Sequence, residues 1–186
     1  MSPISKTLSV PAGAEVATYA AGCFWGVEHI FRKQFQSKGL IDAKVGYAGG
    51  HTTAPTYRQV CGGDTGHAES LQVSFDPKLV SFATLTDFFF RIHDPTTLNY
   101  QGPDVGTQYR SAVFYHDDNQ RDVAKRVAAD VSQRIFQGKP FATVFEPIKD
   151  FYDAEEYHQL YLDKNPAGYE CPTHYIRGDP NFVSNI

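Results

Sequence analysis

The stretch Gly22-Cys23-Phe24-Trp25-Gly26 lies where two predicted secondary-structure elements meet, and the rest of the chain is organised around it. The short run 18–21 before it predicts a buried strand. After it, Val27 and Phe31 begin a set of apolar residues at helical spacing. The sequence therefore predicts that Cys23 lies in the first turn of a helix that follows directly on a strand.

This position predicts a reactive thiol. The first turn of a helix presents unpaired N–H groups and the positive end of the helix dipole, which favour an anion. We therefore expect the pKa of Cys23 to shift towards the thiolate. Gly22 and Gly26 are expected to keep bulk away from the sulfur, and Phe24 and Trp25 to provide apolar walls. The alternative is that Cys23 is a small buried hydrophobe, as many unpaired cysteines are.

Length and composition indicate a single globular domain spanning 1–186. Of the 186 residues 41% are hydrophobic, and no apolar run is long enough to span a bilayer. A net charge of −4 argues against nucleic acid as the main partner. Three widely spaced cysteines imply no disulfide framework, and residues 1–14 lack the apolar core of a secretory signal. A cytoplasmic location is therefore expected, with 1–15 as an extended arm and 167–186 as an irregular tail.

The predicted elements up to Tyr115 follow the order strand, helix, strand, strand, helix, strand. This order is typical of the split βαβ, ferredoxin-like arrangement. A helix at 119–136, a strand at 141–148 and a short helix at 154–164 follow it. The sequence therefore predicts an α+β fold: a mixed sheet with helices packed mainly on one face, plus long irregular loops and the C-terminal tail. Two long glycine-rich loops in so compact a domain indicate functional segments.

Three motifs carry a resemblance to a known family. They are Gly22 to Gly26, the stretch Gly62-Gly63-Asp64-Thr65-Gly66-His67-Ala68-Glu69, and Gly106-Thr107-Gln108-Tyr109-Arg110-Ser111. All three, in this order, closely resemble the signature motifs of A-type peptide-methionine sulfoxide reductases. The similarity extends from about Tyr19 to Tyr175 and includes Glu155, Tyr157 and His158.

The resemblance implies a thiol-dependent reduction of the S epimer of methionine sulfoxide, free or in proteins, and hence repair of oxidative damage. Cys23 matches the family's nucleophile, which becomes a sulfenic acid. Glu69 matches its acid, while Tyr57 and Tyr109 match its two phenol donors. Asp104 matches a carboxylate close to the site.

The resemblance also implies how the substrate binds and how the enzyme is recycled. Phe24 and Trp25 match the aromatic residues that hold the substrate methyl group. Cys171, a single cysteine in the C-terminal tail, matches the resolving cysteine that forms a disulfide with Cys23, and thioredoxin is the expected reductant. The family needs no cofactor or metal, and neither a nucleic-acid nor a membrane partner is expected.

The residues themselves leave simpler alternatives open. Glu69 could be an exposed glutamate at the start of a strand, which is the commoner fate of this residue. Tyr57 and Tyr109 could serve only in packing, and Asp104 could be a turn residue after a proline. Cys61, in the loop that carries Glu69, competes with Cys171 as the resolving cysteine.

Other classes of function also remain possible at this stage. Cys61, His67, Cys171 and His174 include the ligand types of a zinc site, although their spacing is not that of a familiar motif. Cys23 with His158 resembles the pair of a papain-like hydrolase, but Phe24 separates the cysteine from the tryptophan. A peptide-binding module with aromatic loops would leave Cys23 without a role.

Overall fold

The computed structural model describes residues 2–186, in which eight strands and five α-helices form. The strands are β1 (Glu15–Ala21), β2 (Leu40–Ala48), β3 (Ala68–Phe75), β4 (Tyr100–Gln101), β5 (Asp104–Val105), β6 (Ser111–Tyr115), β7 (Val144–Pro147) and β8 (Phe151–Asp153). The helices are α1 (Phe24–Phe35), α2 (Tyr57–Cys61), α3 (Phe82–Arg91), α4 (Asp118–Phe136) and α5 (Tyr161–Lys164). None of these helices is long and apolar enough to cross a membrane.

Six of the strands form one mixed sheet in the order β7-β6-β1-β3-β2-β8. All neighbours are antiparallel except β6 and β7, which are parallel. The four strands β6-β1-β3-β2 and the helices α1 and α3 form the split βαβ arrangement, with β3 inserted between β1 and β2. The predicted ferredoxin-like α+β fold is therefore confirmed.

The two faces of the sheet are covered differently. On β3, Leu71 and Val73 point into the core formed with α1, α3 and α4. Gln72 lies on the opposite face, where its Oε1 accepts a hydrogen bond from Ser5 N at 2.7 Å and its Nε2 donates to Pro3 O at 2.9 Å. Helices thus pack on one face, and the N-terminal arm satisfies the buried polar groups of the other.

Helix α1 begins where the sequence predicts and ends four residues earlier than Gly39. Gly22 has a φ of +87°, a conformation that favours glycine, and Cys23 occupies the N-cap position. Val27 and Phe31, one turn apart, are buried against the sheet. Packing of this apolar face fixes the start of α1 at the end of β1.

Three further predicted elements differ from the structure, and the first is the strand predicted at 141–148, which is observed only over Val144–Pro147. Strand β2 continues past the break expected at Gly46, because residues 46–48 pair with β3 on one side and β8 on the other. The helix predicted over 154–164 is instead a short 3₁₀ turn, Glu156–His158, followed by α5. Leu160, whose φ is +54°, separates the two, and its N–H donates to the buried Glu28 carboxylate at 2.9 Å.

The C-terminal tail contains no helix or strand beyond α5, and one buried arginine contributes to holding it in place. Arg91 Nη1 donates to the carbonyl oxygens of Arg177 and Asp179, at 2.9 and 2.8 Å. Its Nε donates to Asp87 Oδ1 at 2.6 Å, and Arg134 bonds the other oxygen of that carboxylate. This ion-paired cluster anchors the tail at residues 177–179, on the C-terminal side of Cys171.

Candidate active site

The register of the sheet brings three of the predicted site residues to one end of it. Ala21, the last residue of β1, pairs with Ser111, the first residue of β6. Cys23 and Tyr109 therefore lie just beyond the same end of these two strands. Glu69 is the second residue of β3, which is antiparallel to β1 and therefore begins at the end of the sheet where β1 finishes. Antiparallel pairing therefore gathers residues that are far apart in the sequence.

Cys23 is 7% exposed, with its sulfur at the N-terminus of α1. Burial raises the pKa of its thiol well above the ordinary value, and the nearby Glu69 carboxylate raises it further. The backbone N–H groups of Trp25 and Gly26 oppose this increase but do not cancel it. The expected thiolate is therefore wrong for the free protein, because the loss of hydration outweighs the helix N-terminus.

Glu69 lies beside this thiol and is only 2% exposed. Its Oε2 accepts a hydrogen bond from Phe24 N, in the first turn of α1, at 3.1 Å. Burial raises the pKa of Glu69 to about 8, with a smaller contribution from the charge of Asp104. The alternative of an exposed strand-entry glutamate is excluded, and a carboxylic acid that is protonated at neutral pH is available beside Cys23.

Tyr57 and Tyr109 approach Glu69 from two different segments. Tyr57 is the first residue of α2, and its N–H is bonded to Glu155 Oε1 at 2.8 Å. Tyr109 ends a 3₁₀ turn just before β6. Burial raises the pKa of both phenols, and the charge of Glu69 contributes to both shifts. Both hydroxyls stay protonated at neutral pH and are able to donate hydrogen bonds.

Asp104 lies in the two-stranded hairpin β4–β5 and accepts a hydrogen bond from the Tyr169 hydroxyl at 2.9 Å. Its charge contributes to the raised pKa of both Cys23 and Glu69, which places it close to the pair. Asp104 therefore belongs to a tight hairpin and lies near enough to Cys23 and Glu69 for its charge to act on both.

Phe24 and Trp25 have different surroundings. Phe24 is buried in the core, with its ring centroid 5.9 Å from that of Tyr47. Trp25 is half-buried and stacks on Tyr161 at 3.8 Å between centroids. Its indole Nε1 donates to His158 Nδ1 at 2.9 Å. In the sequence His158 appears only as part of the family pattern and in the papain-like alternative, and neither predicted this hydrogen bond to Trp25.

Cys171 is 2% exposed, and only two residues, 101–102, lie between it and the residue that precedes Cys23. A Cβ atom on Gly102 would lie 3.3 Å from its Sγ, and a Cβ atom on Gly22 would lie 2.7 Å from Gln101 Cβ. The dipeptide 101–102 thus separates Cys171 from the residue that precedes Cys23. All three cysteines of the chain are unpaired.

The sequence predicts that Gly22 and Gly26 keep bulk away from the Cys23 sulfur. In the structure these glycines also make room for neighbouring side chains. Gln101 occupies the space beside Gly22. His174 packs so closely on Gly26 that a Cβ atom there would collide with its ring, and its Nε2 lies 2.6 Å from Ala21 O. The tail that carries Cys171 is therefore packed directly on the strand–helix junction.

The structure does not assemble the other sites considered. No three His, Cys, Asp or Glu side chains within residues 2–186 cluster as metal ligands, and His67 Nδ1 instead accepts a hydrogen bond from Gly50 N. His158 bonds the Trp25 indole, and no hydrogen bond joins it to Cys23 in the described part of the chain. Cys61 is exposed at the end of α2.

Comparison with known proteins agrees with this geometry. A family model described as peptide methionine sulfoxide reductase matches residues 15–185. The peptide methionine sulfoxide reductase MsrA of Methanothermobacter thermautotrophicus is 54% identical over 156 residues, which cover 82% of this chain and 88% of that protein.

Solved structures are similar over nearly the whole chain. The crystal structure of Mxr1 from Saccharomyces cerevisiae in reduced form has a TM-score of 0.90 and 54% identity, covering 95% of this chain and 100% of that one. The structure of Mxr1 in complex with Trx2 has a TM-score of 0.67 and 40% identity, with the same coverage. From its three motifs, its fold and these relatives, the chain belongs to the A-type peptide methionine sulfoxide reductases.

Proposed function

We propose that the protein reduces the S epimer of methionine sulfoxide, free or within peptides and proteins, with Cys23 as the nucleophile. The observation that carries this proposal is the placement of Glu69, a buried acid with a pKa of about 8, against the helix start that holds Cys23. A sulfoxide oxygen needs a proton as its bond to sulfur breaks, and Glu69 is able to supply one. We choose the S epimer because the resemblance to the A-type enzymes implies that epimer.

The first step transfers oxygen from the substrate to Cys23. The Cys23 sulfur forms a bond to the sulfoxide sulfur while Glu69 protonates the oxygen. The S–O bond of the substrate and the newly formed sulfur–sulfur bond then break, the hydroxyl passes to the Cys23 sulfur to give a sulfenic acid, and the electron pair of the broken sulfur–sulfur bond stays with the thioether, which leaves as methionine. The thiol proton of Cys23 replaces the one that Glu69 gave up, so that protons and both electrons balance.

Five further side chains support this step in the proposal. The hydroxyls of Tyr57 and Tyr109 donate hydrogen bonds to the oxygen as negative charge develops on it, which lowers the barrier selectively. Trp25 forms the half-buried wall against which the substrate methyl group packs, with Phe24 below it. Asp104 lies at the rim and helps to keep Glu69 protonated.

Recycling proceeds through Cys171. Its thiol attacks the sulfenic acid, releasing water and forming a Cys23–Cys171 disulfide, which a dithiol protein of the thioredoxin type then reduces by exchange. This pairing is supported by the packing of the two cysteines, since only the dipeptide 101–102 lies between Cys171 and the residue that precedes Cys23. Mxr1 in complex with Trx2 offers a precedent for the partner. We further propose a single domain over 1–186 and a cytoplasmic location, where thiols stay reduced.

A single-turnover titration tests the proposal. Reduced protein is mixed with excess S sulfoxide and no reductant, and both methionine and free thiols are counted. We expect one methionine per chain and a fall from three free thiols to one, because Cys23 and Cys171 pair while Cys61 stays free. Absence of methionine, or loss of thiols without methionine, would contradict the proposed function.

A further inference from the structure

Glu155 follows strand β8 and links two other segments of the chain. Its Oε1 accepts a hydrogen bond from Tyr57 N, at the start of α2, at 2.8 Å. Its Oε2 accepts another from the hydroxyl of Tyr47, on β2, at 2.7 Å. The reaction proposed above assigns no role to this carboxylate, although one of its two partners is a proposed oxygen donor.

Both hydrogen bonds reach Glu155 as an acceptor. A backbone N–H only donates, and burial, together with Glu155 itself, raises the pKa of Tyr47 so that its hydroxyl stays a donor. Burial alone would raise the pKa of Glu155, but the hydrogen bonds from Tyr57 N, from its own N–H and from the Tyr47 hydroxyl outweigh burial and lower it. Glu155 is therefore ionised at neutral pH and accepts through both of its oxygens.

Helix α2 depends on such a link for its position. It has only five residues, and a helix this short is not stable without tertiary contacts. The capping box of Thr56 and Gln59 closes its first turn, but both residues belong to the same segment and do not fix where that segment lies. At the other end of α2, Gln108 Nε2 donates to Cys61 O at 3.4 Å. The bond to Glu155 is the shorter of these two links to other segments.

The second partner, Tyr47, connects this link to the acid of the site. Tyr47 on β2 and Glu69 on β3 are directly opposite each other in the sheet, so their side chains lie on the same face. Tyr47 is buried in the core on that face, which fixes the position of its hydroxyl. A single carboxylate thus joins the backbone of Tyr57 to the cross-strand partner of Glu69.

This link sets where the Tyr57 hydroxyl lies relative to Glu69. The ring of Tyr57 is half-buried and packs on His158 at 4.3 Å between centroids, but it extends from a backbone that Glu155 holds. A displacement of about 1 Å at a reacting group is enough to lower a rate. We propose that Glu155 is a positioning residue that holds the Tyr57 hydroxyl beside Glu69, so that both reach the sulfoxide oxygen in the first step.

The inference rests on the proposed function, since Tyr57 must act on a sulfoxide oxygen, and a double-mutant cycle tests it. Glu155→Ala removes both hydrogen bonds, whereas Tyr57→Phe removes only the hydroxyl and keeps the N–H. We expect Glu155→Ala to slow methionine formation at saturating S sulfoxide on the order of tenfold, with little change in KM, because the lost interaction strengthens as charge develops on the oxygen.

The same substitution should have a much smaller effect when the hydroxyl is already absent. In the Tyr57→Phe background we expect Glu155→Ala to slow the reaction by roughly twofold or less, because residues that act through one group are not additive. Equal losses in the two backgrounds would show that Glu155 does not act through the Tyr57 hydroxyl, and would overturn the proposal.

Glu155→Gln is the conservative variant. Its amide oxygen is able to accept from Tyr57 N, and its amide N–H is able to donate to the phenol oxygen of Tyr47, so that both contacts form without a charge. We expect it to recover most of the rate that Glu155→Ala loses. A glutamine variant as slow as the alanine variant would show that the charge matters rather than the position, and would contradict the positioning role.

Hydrogen exchange in the unmodified protein tests the link without substrate and without any question of folding. Tyr57 is the first residue of α2, and an N–H at that position has no partner within its own helix. We therefore expect its exchange to be slowed on the order of tenfold or more by Glu155. Failure of the proposed function would leave this protection intact and remove only the kinetic effects. An unprotected Tyr57 N–H would refute the inference.

Discussion

Cys23 and Glu69 both have raised pKa values because each is buried, but the consequences for the two groups differ. The shift keeps Glu69 protonated at neutral pH, as its role as an acid requires. The same effect keeps Cys23 as a thiol, so its proton must leave as the attack occurs. The sequence predicted where both residues lie, but burial depends on the packing of distant segments, and their protonation could not be predicted.

Replacement of Glu69 by glutamine should change how the first reductive step depends on pH. Glu69→Gln retains a donor but has no transferable proton, so it should be slower wherever wild-type Glu69 is protonated. Because that pKa is about 8, the ratio of wild-type to variant rate should be largest below pH 8 and should decline as pH rises through it. Stopped-flow measurement of methionine formation gives this ratio. A ratio that does not vary with pH would contradict the role of Glu69.

The same substitution should stabilise the fold. An acid with a raised pKa binds its proton more tightly when folded, so between its unfolded value of 4.5 and about 8 it lowers the free energy of unfolding as pH rises. Glutamine does not titrate, and at pH 7 the gain for Glu69→Gln should be at most about 3 kcal/mol. Urea unfolding at pH 5 and pH 7 measures it. An equal effect at both pH values would show that Glu69 is not buried in its acid form.

At the scale of elements, local periodicity predicted the regular helices and strands and failed where tertiary contacts decide. Strand β2 continues through Gly46 because it gains a second partner in β8, a short strand with no clear pattern of its own. The predicted helix at 154–164 is interrupted because Leu160 N bonds the distant Glu28. Neither contact could be predicted from a local pattern, because each depends on a segment that is distant in the sequence.

The C-terminal tail is the element that should control recycling. In Cys171→Ser the first step is unaffected, so one methionine per chain should form, after which turnover with thioredoxin should stop. A small dithiol that reaches the sulfenic acid directly should restore turnover. Cys61→Ser is the matched control, and it should cycle with thioredoxin at the wild-type rate. Sustained thioredoxin-coupled turnover in Cys171→Ser would show that Cys171 is not the resolving cysteine.

At the scale of the whole molecule, the sheet and the tail jointly build the site. The sheet gathers Cys23, Glu69 and Tyr109 at one end through antiparallel pairing. The tail passes over this end and is held further along by the carbonyl bonds of Arg91, with Cys171 between this anchor and α5. The family motifs predicted that these residues share one site, and the structure brings them to one end of the sheet, whereas the buried anchor has no local sequence pattern that would indicate it.

The central claim, that Cys23 reduces one epimer of methionine sulfoxide, is tested most directly by an assay on the two separated epimers. Each is incubated with the protein and excess small dithiol, and the methionine released is quantified, with Cys23→Ser as the control. We predict turnover of the S epimer, none above background for the R epimer, and none for either in Cys23→Ser, because a hydroxyl is too weak an acid to replace the thiol. Equal turnover of both epimers, no turnover of either, or retained activity in Cys23→Ser would contradict the account.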